Sequence, residues 1–291
     1  RPSAIQTMTT PAMQSGHVDL SRTVSLDQLP GLEEGAVHVW AGLLSQWQQH
    51  VNDLRALCSV EELQRAGRFR HERDRARHIV GRSILRLLTA RYLRLSPTRI
   101  DVRLGPHGKP SVSVSSRRSK LDRNQQTSTP LQTLPHSARV PFGVNISHSG
   151  DWILWAVGFS PNIGVDVEQR RTDFDIDDLA PSVFSDWEQR ALGTFTPADQ
   201  RQLFFDLWTR KEAVIKADGA GVQFGLQRFD VEFRPEYRPC VRAIRGDGDH
   251  RKADPANWTL SSVQIDAKHA AALACHGQHQ VIGGTLVPEE E

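Results

Sequence analysis

Apolar and polar positions along the chain repeat one order twice: a strand, a helical region, then strands. The alternation Val37-His38-Val39-Trp40 suits a first strand, because successive strand side chains point to opposite faces. Val80, Ile84, Leu87, Leu88 and Tyr92 recur at helical spacing and predict a long helical region over residues 60–95, broken near Gly67 and His71. Residues 100–104 read as a strand, with a turn over 105–110, and residues 142–146 and 152–159 as a hairpin with its tight turn at 147–150. After a break at Pro161-Asn162 the order begins again. In the next strand Ile163, Val165 and Val167 face a core while Asp166 and Glu168 share the opposite face. Ser185-Asp186-Trp187-Glu188 has the form of a capping box. Thr196-Pro197 opens a second helix that runs to residue 217 and closes at Asp218-Gly219 with a left-handed cap. Residues 229–233, 241–244, 258–265 and 270–274 read as strands of a terminal sheet.

Two stretches lack this order. Residues 1–36 read as a flexible tail, and residues 111–139, rich in Ser, Gln, Thr and Arg, as a flexible insertion. With the insertion set aside, residues 37–160 and 161–287 form two similar halves, and the fold class is α+β. A chain of 291 residues suffices for one large or two modest domains. Its longest apolar run, residues 152–159, is too short to cross a membrane. Cys58, Cys240 and Cys275 are too far apart for a zinc pattern and too few for a disulfide scaffold. With no secretory pattern at the start, they lead to an expected cytoplasmic location. The net charge of +2 decides little, but its distribution matters: ten arginines and only four acids fall between Glu61 and Arg94. Such a helix could meet nucleic acid, a membrane surface, phosphate groups or an acidic protein. A solvated helix with internal ion pairs explains many of the same arginines.

The candidate chemistry sits in residues 161–221. On the second helix Trp208, Glu212 and Lys216 are four residues apart and project together. With Asp166 and Glu168 from the strand, they suggest a divalent metal holding a phosphate, since magnesium is commonly shared between one or two carboxylates and substrate phosphates. In isolation each signal has a blander reading: Asp-x-Glu as solvated side chains, Glu-x-x-x-Lys as a surface pair. Other chemistries fail on spacing. Asp173-x-Asp175-x-Asp177 lacks the glycine and the twelfth-position Glu of a calcium loop, where Phe184 stands. Neither a Walker loop nor a nucleophile elbow is present.

The blocks Gly164-Val165-Asp166-Val167-Glu168, Phe184-Ser185-x-x-Glu188 and Trp208-Thr209-Arg210-Lys211-Glu212-Ala213-x-x-Lys216 resemble, in order and separation, the signature of the 4′-phosphopantetheinyl transferases. Upstream, Gly108-Lys109-Pro110, Asn145-Ile146-Ser147-His148-Ser149-Gly150 and Phe69-Arg70-His71-x-x-Asp74-x-x-Arg77 resemble further motifs of the larger, surfactin-synthetase-activator (Sfp) type. The similarity spans residues 37–275. It implies a pseudodimer of two similar α+β halves with the cofactor cleft between them. It also implies transfer of phosphopantetheine from coenzyme A, the co-substrate, to a serine hydroxyl of an apo acyl or peptidyl carrier protein, with release of adenosine 3′,5′-bisphosphate.

Carried over residue by residue, the resemblance places Mg2+ (Mn2+ could replace it) on Asp166, Glu168 and Glu212. Glu212, Asp166 and Lys216 become the catalytic group, with Glu212 the candidate to accept the serine proton. Lys211 and Lys216 would contact the phosphates. Lys109, Ser147 and His148 would hold the nucleotide end, and Arg65 and His78 would lie near the 3′-phosphate. The chain departs from the pattern at Glu62, where a relative can carry a basic residue. The implied partners are the carrier and coenzyme A, without nucleic acid or membrane. A monomer is expected because both halves lie in one chain. A nucleic-acid-binding protein is the rival reading; it uses the arginines but leaves the carboxylates without a role.

Overall fold

The computed structural model describes residues 16–105, 107–115, 142–173, 175–221, 225–245 and 254–289. The first of two main sheets takes β2 (Thr23–Val24), β13 (Gln280–Leu286), β3 (Ala36–Leu43), β7 (Trp152–Gly158) and β6 (Gly143–Ser149) in that order. The second takes β1 (His17–Val18), β11 (Trp258–Val263), β12 (His269–His276) and β8 (Ile163–Gln169). Strand alternation decides how they stack. Val37, Val39 and Ala41 of β3 meet Val165 and Val167 of β8 and Leu273 and Cys275 of β12, so the sheets lie back to back. Trp40, on the other face of β3, joins Ile153 and Trp155 under Val80, Ile84 and Leu88 of α4 (Glu72–Leu93). Behind the second sheet, Phe204, Leu207 and Val214 of α7 (Pro197–Asp218) pack on Ala270, Ala272 and Ala274. The layers therefore run helix, sheet, sheet, helix, and the fold is α+β in two similar halves.

Both halves use one device to dock their long helix. Ser59 caps α3 (Val60–Gly67) in a capping box with Glu62, and the carboxylate of Glu62 also accepts from Arg86 on α4 at 2.9 Å. Ser185 caps α6 (Asp186–Leu192) in a capping box with Glu188, whose carboxylate accepts from Lys211 on α7 at 2.5 Å. The partners are 24 and 23 residues apart, and each long helix has 22 residues. This duplication is visible in contacts although the sequence identity between the halves is weak.

Several expectations need correction. The tail expected over residues 1–36 is not free from residue 16 onward. Val18 and Leu20 are buried between the sheets and Val24 beneath α4, through strands of two residues that no periodicity can announce. The chain also ends in the wrong half for a simple division. After β12, β13 pairs parallel to β3 of the first sheet, in register from Gln280 opposite Ala36. The expected insertion begins with a strand instead, β5 (Pro110–Val114), paired antiparallel to β4 (Ile100–Leu104). Residues 116–139 of that insertion lie outside the described residues. Of the four strands expected in a terminal sheet, β9 (Phe229–Val231) and β10 (Val241–Ile244) pair only with each other. Finally, β6 continues through Ser149, and the hairpin turn is Gly150-Asp151 with Gly150 at φ 59°. A two-residue turn of that kind calls for a positive φ, which glycine adopts without strain.

Candidate active site

The site forms where β6 and β8, the facing edges of the two sheets, run side by side. No backbone ladder joins them, so the outward amides of β8 need other acceptors. Side chains of β6 supply them at two-residue spacing. Asn145 Oδ1 accepts from Val165 N at 3.0 Å, Ser147 Oγ from Val167 N at 3.4 Å and Ser149 Oγ from Gln169 N at 3.0 Å. The polar alternation Asn145-x-Ser147-x-Ser149 is thus a seam between the halves.

On the other side of β8, α7 lies in direct contact, and Gly164 is the reason. A side chain there would begin 2.1 Å from Ala213 O and 2.3 Å from Ala217 N. This approach brings one stripe of the helix over the strand. Within residues 207–217, only Trp208, Glu212 and Lys216 escape full burial. Lys216 Nζ donates to Asp166 Oδ1 at 2.6 Å and to Ser147 Oγ at 3.0 Å, and Ser147 Oγ donates to Asp166 Oδ1 at 2.9 Å. Asp166 is 2% exposed, and its Oδ2 is buried with no hydrogen-bond partner. Ser149 Oγ donates to Glu168 Oε2 at 3.1 Å.

Charge accumulates here without full compensation. Burial, then the neighbouring Asp166, push the Glu168 carboxyl up to about 7. Burial and Asp166 also raise Glu212 above the usual carboxylate range. Among the described residues no three His, Cys, Asp or Glu side chains converge into a ready-made metal cage. What the seam offers is carboxylate oxygens coupled through charge around Asp166, one of whose oxygens is buried and unpartnered, a donor chemistry that fits a hard cation completed by water and phosphate oxygens.

The repulsion has a measurable sign. A carboxyl whose folded pKa lies above its unfolded value of 4.5 favours folding while protonated. That contribution is present at low pH and is lost as pH rises through about 7. Without divalent cations, the melting temperature should therefore fall between about pH 5 and about pH 8. Glu168→Gln should flatten the fall, and thermal scans at several pH values read it. Parallel curves for wild type and variant would refute the repulsion.

Other expected site residues are placed less uniformly. His148 projects from the α4 face of β6 and reaches solvent. Crowding by surrounding protein, then the charge of Arg77, hold its imidazole below the usual value. Arg77 is itself held by Asp74 at 2.9 Å and by the carbonyl of Gly150 at 2.9 Å. Lys109 crosses from the β4–β5 hairpin to the end of α7, where Nζ donates to Ala217 O at 2.8 Å and Pro161 O at 3.1 Å. Arg65 and His78 share a pocket of about 680 Å3 between α3, α4 and β4, with Arg68, Arg82 and Arg103. His78 is pushed down to about 4 by burial, then by Arg82. His78 Nε2 and one Arg82 nitrogen are buried there without a partner. Glu62, where the chain departs from the family pattern, lines this pocket too: one carboxylate oxygen accepts from Arg86 and the Ser59 amide, the other is buried without a partner, and the group acts on His78 and Arg82.

Lys211 is the clear correction. It was expected beside Glu212 at the phosphates, but it is fully buried on the far side of α7. Its Nζ donates to Glu188 and to Phe229 O at 2.7 Å and lies 4.4 Å from the Phe229 ring centroid. One residue along a helix turns the side chain by about 100°, enough to take it from cleft to core. Gly164 and Ser149 carry structural roles that the motif contained but the sequence argument did not single out. In the first half, β3 offers no comparable charge: the Tyr92 hydroxyl accepts from Trp40 Nε1 and shares a hydrogen bond with His38 Nδ1, both at 2.8 Å, while His38 Nε2 is buried without a partner.

Comparison with known proteins identifies the family. A family profile described as 4'-phosphopantetheinyl transferase superfamily matches residues 162–274, and one described as 4'-phosphopantetheinyl transferase, N-terminal, matches residues 38–159. The chain is 31% identical over 241 residues to 4'-phosphopantetheinyl transferase HetI of Nostoc sp., covering 83% of this chain and 88% of the relative. It is 27% identical over 267 residues to a phosphopantetheinyl transferase of Thraustochytrium sp., covering 87% and 82%. Against a 4'-phosphopantetheinyl transferase of Bacillus subtilis it is 28% identical over 209 residues, covering 68% and 81%. The two profiles meet at the break between β7 and β8, and the Nostoc relative extends across both halves. The chain belongs to the 4'-phosphopantetheinyl transferase superfamily and is an enzyme of that kind.

Proposed function

We propose that this enzyme moves the 4′-phosphopantetheine group of coenzyme A to a serine hydroxyl of an apo acyl or peptidyl carrier protein and releases adenosine 3′,5′-bisphosphate. The serine oxygen forms a bond to the phosphorus nearer the pantetheine, and the phosphoanhydride bond to the nucleotide breaks. The observation that carries the reading is the seam itself: Asp166, held by Lys216 and Ser147, keeps one buried oxygen without a partner between two carboxyls of raised pKa. Asp166, Glu168 and Glu212 are the residues proposed to hold Mg2+. When bound, the ion offsets negative charge on the pyrophosphate as the anhydride opens.

The chain's own groups do the rest. Lys216 stands beside Asp166 to meet a phosphate oxygen. Glu212, made more basic by burial and by Asp166, is proposed to accept the serine proton, since a raised carboxylate is a better base near neutral pH. The pocket that Arg65 and His78 line is proposed to receive the phosphorylated ribose end, and Lys109, Ser147 and His148 are proposed to hold the nucleotide. With both halves in one chain, the larger Sfp-type arrangement and a monomer follow from the same reading. The test mixes the protein with coenzyme A, Mg2+ and several unrelated apo carriers, then weighs the carriers by mass spectrometry. A gain of one phosphopantetheine on at least one carrier is expected, and none on any would overturn the reading.

A further inference from the structure

We propose that Trp152, Asp266 and His269 form a latch between the two halves that holds the Ser149-Gly150 turn, and through it Glu168, in working position. The latch joins two hairpin turns that belong to different sheets. Trp152 opens β7 just after the β6–β7 turn, and its Nε1 donates to Asp266 Oδ2 at 2.9 Å. Asp266, in the turn between β11 and β12, uses its other oxygen for His269 Nδ1 at 2.8 Å and the Lys268 amide at 2.8 Å. A carboxylate oxygen accepts, so Nδ1 of His269 carries the proton and the ring is held at a fixed angle.

The far tip of that ring decides the matter. The His269 side chain is 8% exposed, and its Nε2 is buried without a hydrogen-bond partner. It lies against Gly150: a side chain at that glycine would begin 2.8 Å from Nε2. The imidazole is therefore a strut, braced by Asp266 at one end and pressed on the turn at the other. What it braces belongs to the site. Ser149 Oγ holds both Glu168 Oε2 and the amide of Gln169, and Gly150 O accepts from Arg77. His269 is also the strand partner of Gln169, one residue beyond Glu168. None of the three latch residues reaches the reacting groups, so they are positioning residues.

The inference rests on the transferase reading for its kinetic consequence but not for its structural one, and the experiment separates them. Asp266→Ala and His269→Ala are compared with wild type by amide hydrogen exchange and by carrier transfer at saturating substrates. His269→Asn, which keeps a donor near the Nδ1 position, serves as the conservative variant. In the alanine variants, exchange over residues 149–152 should rise about ten-fold while α4 and α7 stay protected. In the same variants kcat should fall about ten-fold with the KM for coenzyme A within about two-fold, and the divalent cation concentration for half-maximal rate should increase. His269→Asn should recover most of both effects. Unchanged exchange at the turn overturns the latch, and so does raised exchange with unaltered kcat. If wild type itself transfers nothing, the functional reading has failed, and exchange at the turn alone decides the latch.

Discussion

Asp166→Ala should abolish transfer and leave the protein folded. The side chain is the centre of the polar cluster, taking Lys216 Nζ and Ser147 Oγ on Oδ1 and leaving Oδ2 for a cation. Removing it takes away the carboxylate proposed to link metal and phosphate. A loss of at least about 10²-fold in kcat is expected, the scale of deleting one preorganised electrostatic group. Stability should change little, because two effects oppose each other. The half-buried ammonium of Lys216 loses its carboxylate partner, but Glu168 and Glu212 lose the neighbour that raises their pKa values. Glu168 should accordingly titrate lower in the variant. Kinetics with excess Mg2+ and a thermal scan decide it together. Normal transfer, or collapse of the fold with no folded material to assay, would show that Asp166 is not the metal-site carboxylate described here.

Lys211→Met should do the reverse and damage the fold while sparing the chemistry. Lys211 and Glu188 are both fully buried, and burial pushes the ammonium down and the carboxyl up, so each ion depends on the other. Breaking such a pair from one side leaves an uncompensated charge in the core and costs about 3–5 kcal/mol. Glu188 would keep only the Ser185 and Val231 amides as donors. Adding Glu188→Gln should recover part of the loss, since it removes the uncompensated charge while its single amide oxygen still accepts from one of those two N–H groups. Below the unfolding transition, the KM for coenzyme A should stay near the wild-type value. A large rise in that KM with unchanged stability would return Lys211 to the phosphates, where the family resemblance had placed it.

These two residues show where sequence reasoning reaches and where it stops. Asp166 was legible because a short strand with strict alternation has one interpretation: if Val165 and Val167 go inward, Asp166 goes out. The capping box at Ser185 was legible for the same reason, since its bonds close within four residues. On α7 the stripe of Trp208, Glu212 and Lys216 was legible from its four-residue spacing, but the place of Lys211 was not. Leu203, Phe204, Phe205, Leu207, Thr209, Arg210, Lys211 and Ala213 are all buried, because the helix is enclosed by the sheet on one side and by α5 (Ile176–Val183), α6 and β9 on others. A helix enclosed around most of its circumference gives no polar face by which the sequence could assign a lysine beside that stripe, such as Lys211, to the core.

The sequence by itself determined the local elements, the carboxylate pair on β8, the helix that carries Glu212 and Lys216, and the repeated order of the two halves. Those properties depend on neighbours within a few residues, where propensity, alternation and capping act. Only the tertiary structure decided that Ser147 and Ser149 stitch the sheet edges together and that Lys211 serves the core. It alone also showed β13 returning to the first sheet and Gly150 resting on a histidine more than a hundred residues away. Each of those depends on which surfaces meet when both sheets close, and no local pattern encodes a partner that distant in the chain.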